Sequence, residues 1–133
     1  MATTSKKTRT FSDLDLNFTA HPVTEDLVRL YDENAIKRSV RNLLQTNNYE
    51  RPFHSEIGSQ LRAMLFEPAS PMLNTMIKRV IVETITTFEP RVSLNDVVVN
   101  VNPDNNAAYV TIMFTIVNTV RPVTMSIVLE RTR

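Results

Sequence analysis

The sequence predicts an α+β fold, with about three helices packed on a small, mainly antiparallel sheet toward the C-terminal end. Two observations indicate this fold class. Apolar residues recur at helical spacing between residues 32 and 88, and from residue 97 onward they alternate with polar residues. Helices followed by a run of strands typically pack as a helical layer on one face of a sheet.

The length of 133 residues fits one domain, and an apolar content of 42% is enough for a modest core. Residues 1–10 are polar and basic, which predicts a flexible arm ahead of a single domain at residues 11–133. The first ten residues lack the apolar stretch of a secretory signal. No apolar run approaches the roughly 20 residues that span a bilayer. We therefore expect assembly in a cytoplasm and no membrane partner.

Helix start and stop signals place three helices at residues 32–46, 55–67 and 71–89. In the third helix Ser70 is the expected N-cap, and Pro71 occupies the first helical position, where proline is favoured. This helix has the longest apolar stripe of the three. The stripe consists of Leu73, Met76, Ile77, Val80, Ile81, Ile85 and Phe88.

Alternating residues predict the strands. Residues 11–18 predict a short half-buried strand, with Leu14, Leu16 and Phe18 on its buried side, and residues 27–31 are a second extended segment. After the third helix, three alternating segments joined by short connections predict an antiparallel meander. An edge strand of this sheet is either protected or used to pair with another chain. The three segments are residues 97–101, 108–116 and 123–129.

The composition excludes several classes of site. A phosphate-binding loop or a dinucleotide fingerprint needs several glycines, and Gly58 is the only one. Without cysteine there is no disulfide scaffold or thiolate zinc site. His21 and His54 are far apart and lack further ligands at metal spacing, so we expect no metal, cofactor or catalytic site there. The net charge of +1 gives no overall attraction for nucleic acid, although the basic arm leaves a nucleic-acid adaptor as a rival interpretation.

The tripeptide Glu89-Pro90-Arg91 at the end of the third helix is a candidate site. A cation such as Arg91 is favourable at the negative end of a helix, whereas Glu89 is unfavourable there. A local rule broken at a rigid corner indicates that the carboxylate has a partner. The alternatives are an ion pair within the chain, a solvated glutamate, or a partner on another protein.

A second tripeptide, Arg51-Pro52-Phe53, joins the first two helices. From the residues alone, we expect Phe53 to fill the core. Arg51 is either a surface charge or an interface contact.

Several short motifs occur in a specific order over residues 11–131. In that order they resemble the small baseplate wedge protein family of contractile-tailed bacteriophages. Relatives of this family serve the type VI secretion system and other contractile injection machines. The motifs are the helix Ala35 to Leu44, Glu50-Arg51-Pro52-Phe53, Ile57-Gly58-Ser59 with Leu61, Leu65-Phe66-Glu67-Pro68 and Phe88-Glu89-Pro90-Arg91.

The resemblance implies a structural protein of the virion, without catalytic residues or cofactor. Such a protein sits in the sixfold inner baseplate around the tail tube and has a fold similar to the C-terminal domain of the tail sheath protein. Glu89, Pro90 and Arg91 would face the core bundle of the two larger wedge proteins, and the sheet would template the first ring of the sheath. Arg51 and Phe53 are further partner-binding candidates. The departure from the family pattern is the basic start at residues 1–10, whose role the resemblance does not give.

A peptidoglycan-cleaving lysozyme is the enzymatic rival, because some members of the family carry that label. Glycoside hydrolysis needs two carboxylates across a cleft, one of them with a raised pKa. The 14 acidic residues mostly fit helix starts, a polar strand face or turns, and there is no tryptophan for sugar stacking. The sequence therefore favours the structural interpretation.

Overall fold

The computed structural model describes residues 11–117 and 119–131, and its contacts divide the chain into two compact units, residues 1–38 and 39–133. The arm expected at residues 1–10 lies outside the described residues, and the single domain over residues 11–133 stays a prediction. The α+β fold class is confirmed. The elements are β1 (Ser12–Leu14), β2 (Arg29–Tyr31), α1 (Asp32–Gln45), α2 (Leu61–Met64), α3 (Pro71–Phe88), β3 (Val92–Asn102), β4 (Ala107–Ile116) and β5 (Pro122–Glu130).

Strands β3, β4 and β5 form the expected antiparallel meander, with β4 in the centre. In the register of this sheet Val97 lies opposite Ile112, which in turn lies opposite Met125. Alternate side chains point to one face of a strand, so the alternation in the sequence becomes one continuous buried face. On β4 and β5 that face consists of Ala108, Val110, Ile112, Phe114, Ile116, Val123, Met125, Ile127 and Leu129.

Helix α3 lies against β3. It begins as expected, because the Ser70 hydroxyl accepts the N–H of Leu73 at 3.2 Å and Pro71 is the first helical residue. Burying each aliphatic side chain stabilises the fold by about 1.5–3 kcal/mol. The buried residues of α3 are Leu73, Ile77, Ile81, Thr84 and Ile85.

The second helix is much shorter than expected. Residues 55–60 form turns, and α2 contains only the four residues Leu61–Met64. Here the chain folds back on the end of α1. The Ser59 N–H donates to the Thr46 carbonyl at 2.9 Å, and the Ser59 hydroxyl donates to the Leu44 carbonyl at 2.8 Å. These bonds satisfy carbonyls that the end of a helix leaves unpaired. Because the Ser59 N–H is used in this way, a helix beginning at Ser55 does not form.

The predicted face of the first strand is wrong. Strand β1 pairs antiparallel with β2 but ends at Leu14. Leu14, Leu16 and Phe18 are 49%, 48% and 69% exposed, whereas Asp15 is buried. A polar interaction therefore decides which side of this segment is buried.

The carboxylate of Asp15 is the centre of that interaction. It accepts the N–H of Asn17 at 3.1 Å, the Thr19 hydroxyl at 3.2 Å and the Arg38 guanidinium at 2.9 Å. The backbone N–H of Asn17 contributes most to lowering the pKa of Asp15, and Arg38 and Thr19 add to it against the effect of burial. A carboxylate held in this way is stable inside the first unit, because its charge is paired and hydrogen-bonded.

Candidate functional site

The corner between α3 and β3 holds the tripeptide Glu89-Pro90-Arg91. Glu89 follows the last helical residue, and its N–H donates to the Ile85 carbonyl at 2.9 Å. Strand β3 begins at Val92, whose N–H donates to the Glu89 carbonyl at 3.2 Å. Pro90 has a fixed φ between these two anchors. The tripeptide is therefore a short, rigid connection between two regular elements.

The carboxylate of Glu89 is buried and fully engaged by its own chain. Only 4% of the residue is exposed. Arg91 donates from Nε at 2.6 Å and from Nη2 at 2.8 Å, one bond to each carboxylate oxygen, and the Ser39 hydroxyl donates at 2.6 Å. Of the alternatives left open by the sequence, the structure shows the ion pair within the chain, with Arg91 as the partner of Glu89.

What the corner presents to solvent is therefore Pro90 and part of Arg91. Pro90 is exposed, and the Arg91 side chain is 29% exposed while its guanidinium is held by Glu89. Ser39 is the member of this group that sequence reasoning missed. The sequence does contain an indication of its role, because Ser39 is a polar residue on the apolar stripe of α1, between Ile36 and Val40.

The environment of Glu89 favours its charged form. Burial, the largest single influence, opposes ionisation, but the hydrogen bonds from Arg91 and Ser39 and the positive charge of Arg91 together outweigh it. The pKa of Glu89 consequently lies below its ordinary value of 4.5. A general acid of a glycosidase needs the opposite shift, so Glu89 is suited to holding Arg91 rather than to donating a proton.

Arg51 and Phe53 lie on the loop between α1 and α2. Phe53 is 100% exposed, so the expectation that it fills the core is wrong. The reason is the closure of the loop, in which the Tyr49 N–H donates to the Ser55 carbonyl at 2.9 Å. This bond makes residues 50–54 a tight projection whose residues are all exposed. Arg51 is exposed as well, and no hydrogen bond or ion pair of the described residues joins it to the corner.

A cavity of about 290 Å³ in the second unit is lined by two acids, Glu56 from the loop and Glu83 from α3. A hydrogen bond to its own backbone N–H is the main cause that lowers the pKa of Glu56. Because a glycosidase acid needs a raised pKa, Glu56 is a poor proton donor. Within residues 11–117 and 119–131, no group of three or more metal-ligating side chains could hold an ion. No helix in that part of the chain is long and apolar enough to cross a bilayer.

Comparison with known proteins gives one family. A family model described as baseplate wedge protein gp25 matches residues 31–121. The baseplate wedge protein gp25 of Enterobacteria phage T4 is 30% identical over 96 residues, which are 71% of either chain.

Solved structures share the fold. A Geobacter sulfurreducens protein described as a tail lysozyme superposes with a TM-score of 0.67 at 18% identity, over 74% of this chain and 89% of that one. A chain of the sixfold-symmetrised baseplate of the anti-feeding prophage has a TM-score of 0.64 at 20% identity, over 92% of this chain and 87% of that one.

Proposed function

This chain is a member of the baseplate wedge protein gp25 family, and from that membership we propose that it docks on the core bundle of the larger wedge proteins and anchors the first ring of the contractile sheath. As a family member it is a structural component of the baseplate of a contractile phage tail or related injection system. There it assembles with other baseplate proteins in a sixfold arrangement. The proposal concerns the surfaces that make those contacts.

The docking proposal depends on one observation: Glu89 and Arg91 form an ion pair with two hydrogen bonds at a rigid corner. The pair holds the Arg91 guanidinium in a fixed orientation, and the preceding residue in the chain, Pro90, is exposed. A surface that is ordered before binding loses little conformational entropy when a partner arrives. Glu89 thus acts as a positioning residue, while Pro90 and the exposed part of Arg91 form the contact surface.

A pull-down of the core-bundle wedge proteins tests this role. The double variant Glu89→Gln with Arg91→Met removes both charges, so that neither is left buried and unpaired. We expect it to bind at least about tenfold more weakly than the wild type, a loss of about 1.4 kcal/mol, with an unchanged circular dichroism spectrum. Arg79→Met is the matched control, because Arg79 is an exposed arginine on the same helix, away from the corner. Equal binding of the double variant and the control would refute docking through this corner.

The outer edge of β5 supports the sheath proposal. The Arg131 N–H donates to the Asn106 carbonyl at 3.0 Å. Together with the strand register, this bond shows which residues of β5 form hydrogen bonds with β4 and which do not. Every second residue of β5 then directs its N–H and carbonyl away from β4, and the side chains of these residues are also exposed. An added strand from a sheath subunit would pair with them by backbone hydrogen bonds. The outward residues are Thr124, Ser126, Val128 and Glu130. The likeness to the sheath C-terminal domain stays a prediction.

We further propose that the chain is not an enzyme, although one structural neighbour is described as a tail lysozyme. The pair that an activity would use is Glu56 and Glu83, which line one cavity. Purified protein should release no more peptidoglycan fragments between pH 4 and pH 7 than the variants Glu56→Gln and Glu83→Gln. An activity that either substitution abolishes would establish the lysozyme instead.

A further inference from the structure

The loop of residues 46–60 has little regular structure, yet backbone hydrogen bonds hold it closed. Its two ends meet where the Ser59 N–H donates to the Thr46 carbonyl at 2.9 Å. Nearer the middle of the loop, the Tyr49 N–H donates to the Ser55 carbonyl, also at 2.9 Å. The Asn47 N–H donates to the Glu50 carboxylate at 2.8 Å. The loop is therefore a defined structure, and what its tip presents is fixed by the fold.

Gly58 permits this closure. Its φ is +149°, and a Cβ built on it would lie 2.7 Å from the carbonyl carbon and oxygen of Asn47. Only glycine fits such a close approach of two backbones. The base of the loop thus depends on a residue without a side chain, and the tip projects from that base.

The tip carries two exposed aromatic side chains. We call residues 49–53 the aromatic tip. Tyr49 is 84% exposed and Phe53 is 100% exposed. Both have left-handed backbones, with φ of +68° and +69°, a conformation that costs a bulky L-residue free energy. Neither packing inside the chain nor backbone preference explains aromatic residues at these two positions. Strained, exposed residues of this kind are typical of binding sites.

The charge of the aromatic tip defines the chemistry of its partner. The Glu50 carboxylate accepts the Asn47 N–H at 2.8 Å, and beyond the tip a Glu56 carboxylate oxygen lies 3.3 Å from the His54 Nδ1. Arg51 is exposed and makes no ion pair with any of the described residues. The tip therefore exposes a guanidinium without an ion pair among the described residues and, two positions further along the chain, a phenyl ring. Arginine and aromatic residues are both enriched at protein interfaces. A matching surface has an apolar cleft with a carboxylate at its rim.

We propose that the aromatic tip is a second docking surface of this chain. It inserts the Phe53 ring into an apolar cleft of a different baseplate protein, and Arg51 pairs with an Asp or Glu at the rim of that cleft. The inference rests on the proposed function only in placing the chain within a baseplate. It does not depend on the corner of Glu89, Pro90 and Arg91, which lies elsewhere in the second unit.

Photocrosslinking in assembled baseplates tests the proposal. A benzophenone amino acid is placed at position 53, and in a separate control at position 120. Val120 is 96% exposed and lies outside the loop. We expect position 53 to crosslink to one other baseplate protein, at apolar residues next to an acidic one, and position 120 to give no such product. Products that match those of position 120, or that join two copies of this chain, would overturn the proposal.

Affinity for the crosslinked protein gives the second measurement. Phe53→Asn removes the ring while keeping a residue that tolerates a left-handed backbone, so its melting temperature should not fall. We expect Phe53→Asn and Arg51→Glu each to weaken binding at least tenfold, with Val120→Asn unchanged. If folded Phe53→Asn binds like the wild type, the tip is not a docking surface.

The same assays separate the two proposals. If only the tip proposal fails, Phe53→Asn assembles normally while Glu89→Gln with Arg91→Met loses the core bundle. If only the corner proposal fails, the reverse pattern appears.

Discussion

At the residue scale, the buried glutamate at the end of α3 shows how a charge is tolerated where the helix disfavours it. The negative end of α3 opposes Glu89 by up to about 1 kcal/mol. Two hydrogen bonds from Arg91 and one from Ser39 offset that cost. Charged hydrogen bonds of this kind each contribute about 1.5–3 kcal/mol, so the local bonds win.

Glu89→Gln should lower the free energy of unfolding at pH 7 by about 1–3 kcal/mol, because the carboxylate that accepts two charged hydrogen bonds from Arg91 is replaced by a neutral amide. The pKa of Glu89 is lower in the folded protein than its ordinary value of 4.5. Its charge therefore contributes its full stabilisation at any pH above 4.5. That stabilisation is lost as the pH falls through the pKa of the folded state. The stability gap between wild type and variant should therefore narrow below about pH 4.5. Thermal unfolding of both proteins from pH 7 to pH 3 measures the gap, and a constant gap would contradict this account.

Phe53→Gly should stabilise the isolated chain by up to about 1 kcal/mol, because glycine relieves the left-handed backbone and the fully exposed ring packs on nothing. Phe53→Ala is the control, since alanine keeps the strain and should bring no gain. Urea midpoints of the three proteins decide the matter. Equal midpoints for the glycine and alanine variants would mean that residue 53 is not strained.

At this scale the sequence shows that the charge of Glu89 is unfavourable at the end of a helix, but it does not show that Ser39 donates a hydrogen bond to it. Helix-end electrostatics is a local property, so the misplaced charge was visible in the order of residues. The Ser39 hydroxyl is 50 positions away in the chain, and no spacing rule connects it to Glu89. Phe53 was misjudged for a similar reason, because its exposure follows from a loop closure that only the three-dimensional structure contains.

At the element scale, regular periodicity was a reliable guide and loop closure was not. The meander and α3 form as predicted, because long apolar repeats have one way to be buried. The predicted second helix is too long, because Ser59 forms hydrogen bonds with the Thr46 and Leu44 carbonyls at the end of α1. Residues 55–67 carried the capping and apolar signals of a helix, and nothing in those signals competes with a tertiary backbone contact.

Gly58→Ala should destabilise the protein by at least about 2 kcal/mol, since it adds strain at φ +149° and a contact of 2.7 Å with the Asn47 backbone. Ala63→Gly, on the exposed side of α2, is a control that should cost about 1 kcal/mol or less. Chemical denaturation compares the two. A loss for Gly58→Ala no larger than for the control would mean that the loop can close without glycine.

Ser126→Pro should leave the isolated chain folded, because the N–H that proline removes points away from β4 and edge strands tolerate proline. In assembly it should prevent the first sheath ring from forming on an otherwise complete baseplate. Ser126→Ala keeps the N–H and should assemble normally. Electron microscopy of baseplates mixed with sheath protein shows the result, and normal sheath growth on the proline variant would exclude this edge.

At the scale of the whole molecule, the family was readable from the order of motifs, whereas the faces that meet partners were not. Residues 14, 16 and 18 alternate with polar neighbours as a buried strand does, yet in this chain their side chains are largely exposed. A period of two says which side chains share a face. It does not say what covers that face, and in a subunit of a larger assembly that information belongs to other chains.

The pairing of Glu89 with Arg91 also has a kinetic consequence. A corner that neutralises itself projects little field beyond a Debye length of about 8 Å at physiological ionic strength. If the corner docks as proposed, it would add no electrostatic steering of its own, and association at roughly 10⁵–10⁶ M⁻¹s⁻¹ would depend little on salt through this surface. Under that proposal, slow dissociation rather than rapid recapture would keep the subunit bound.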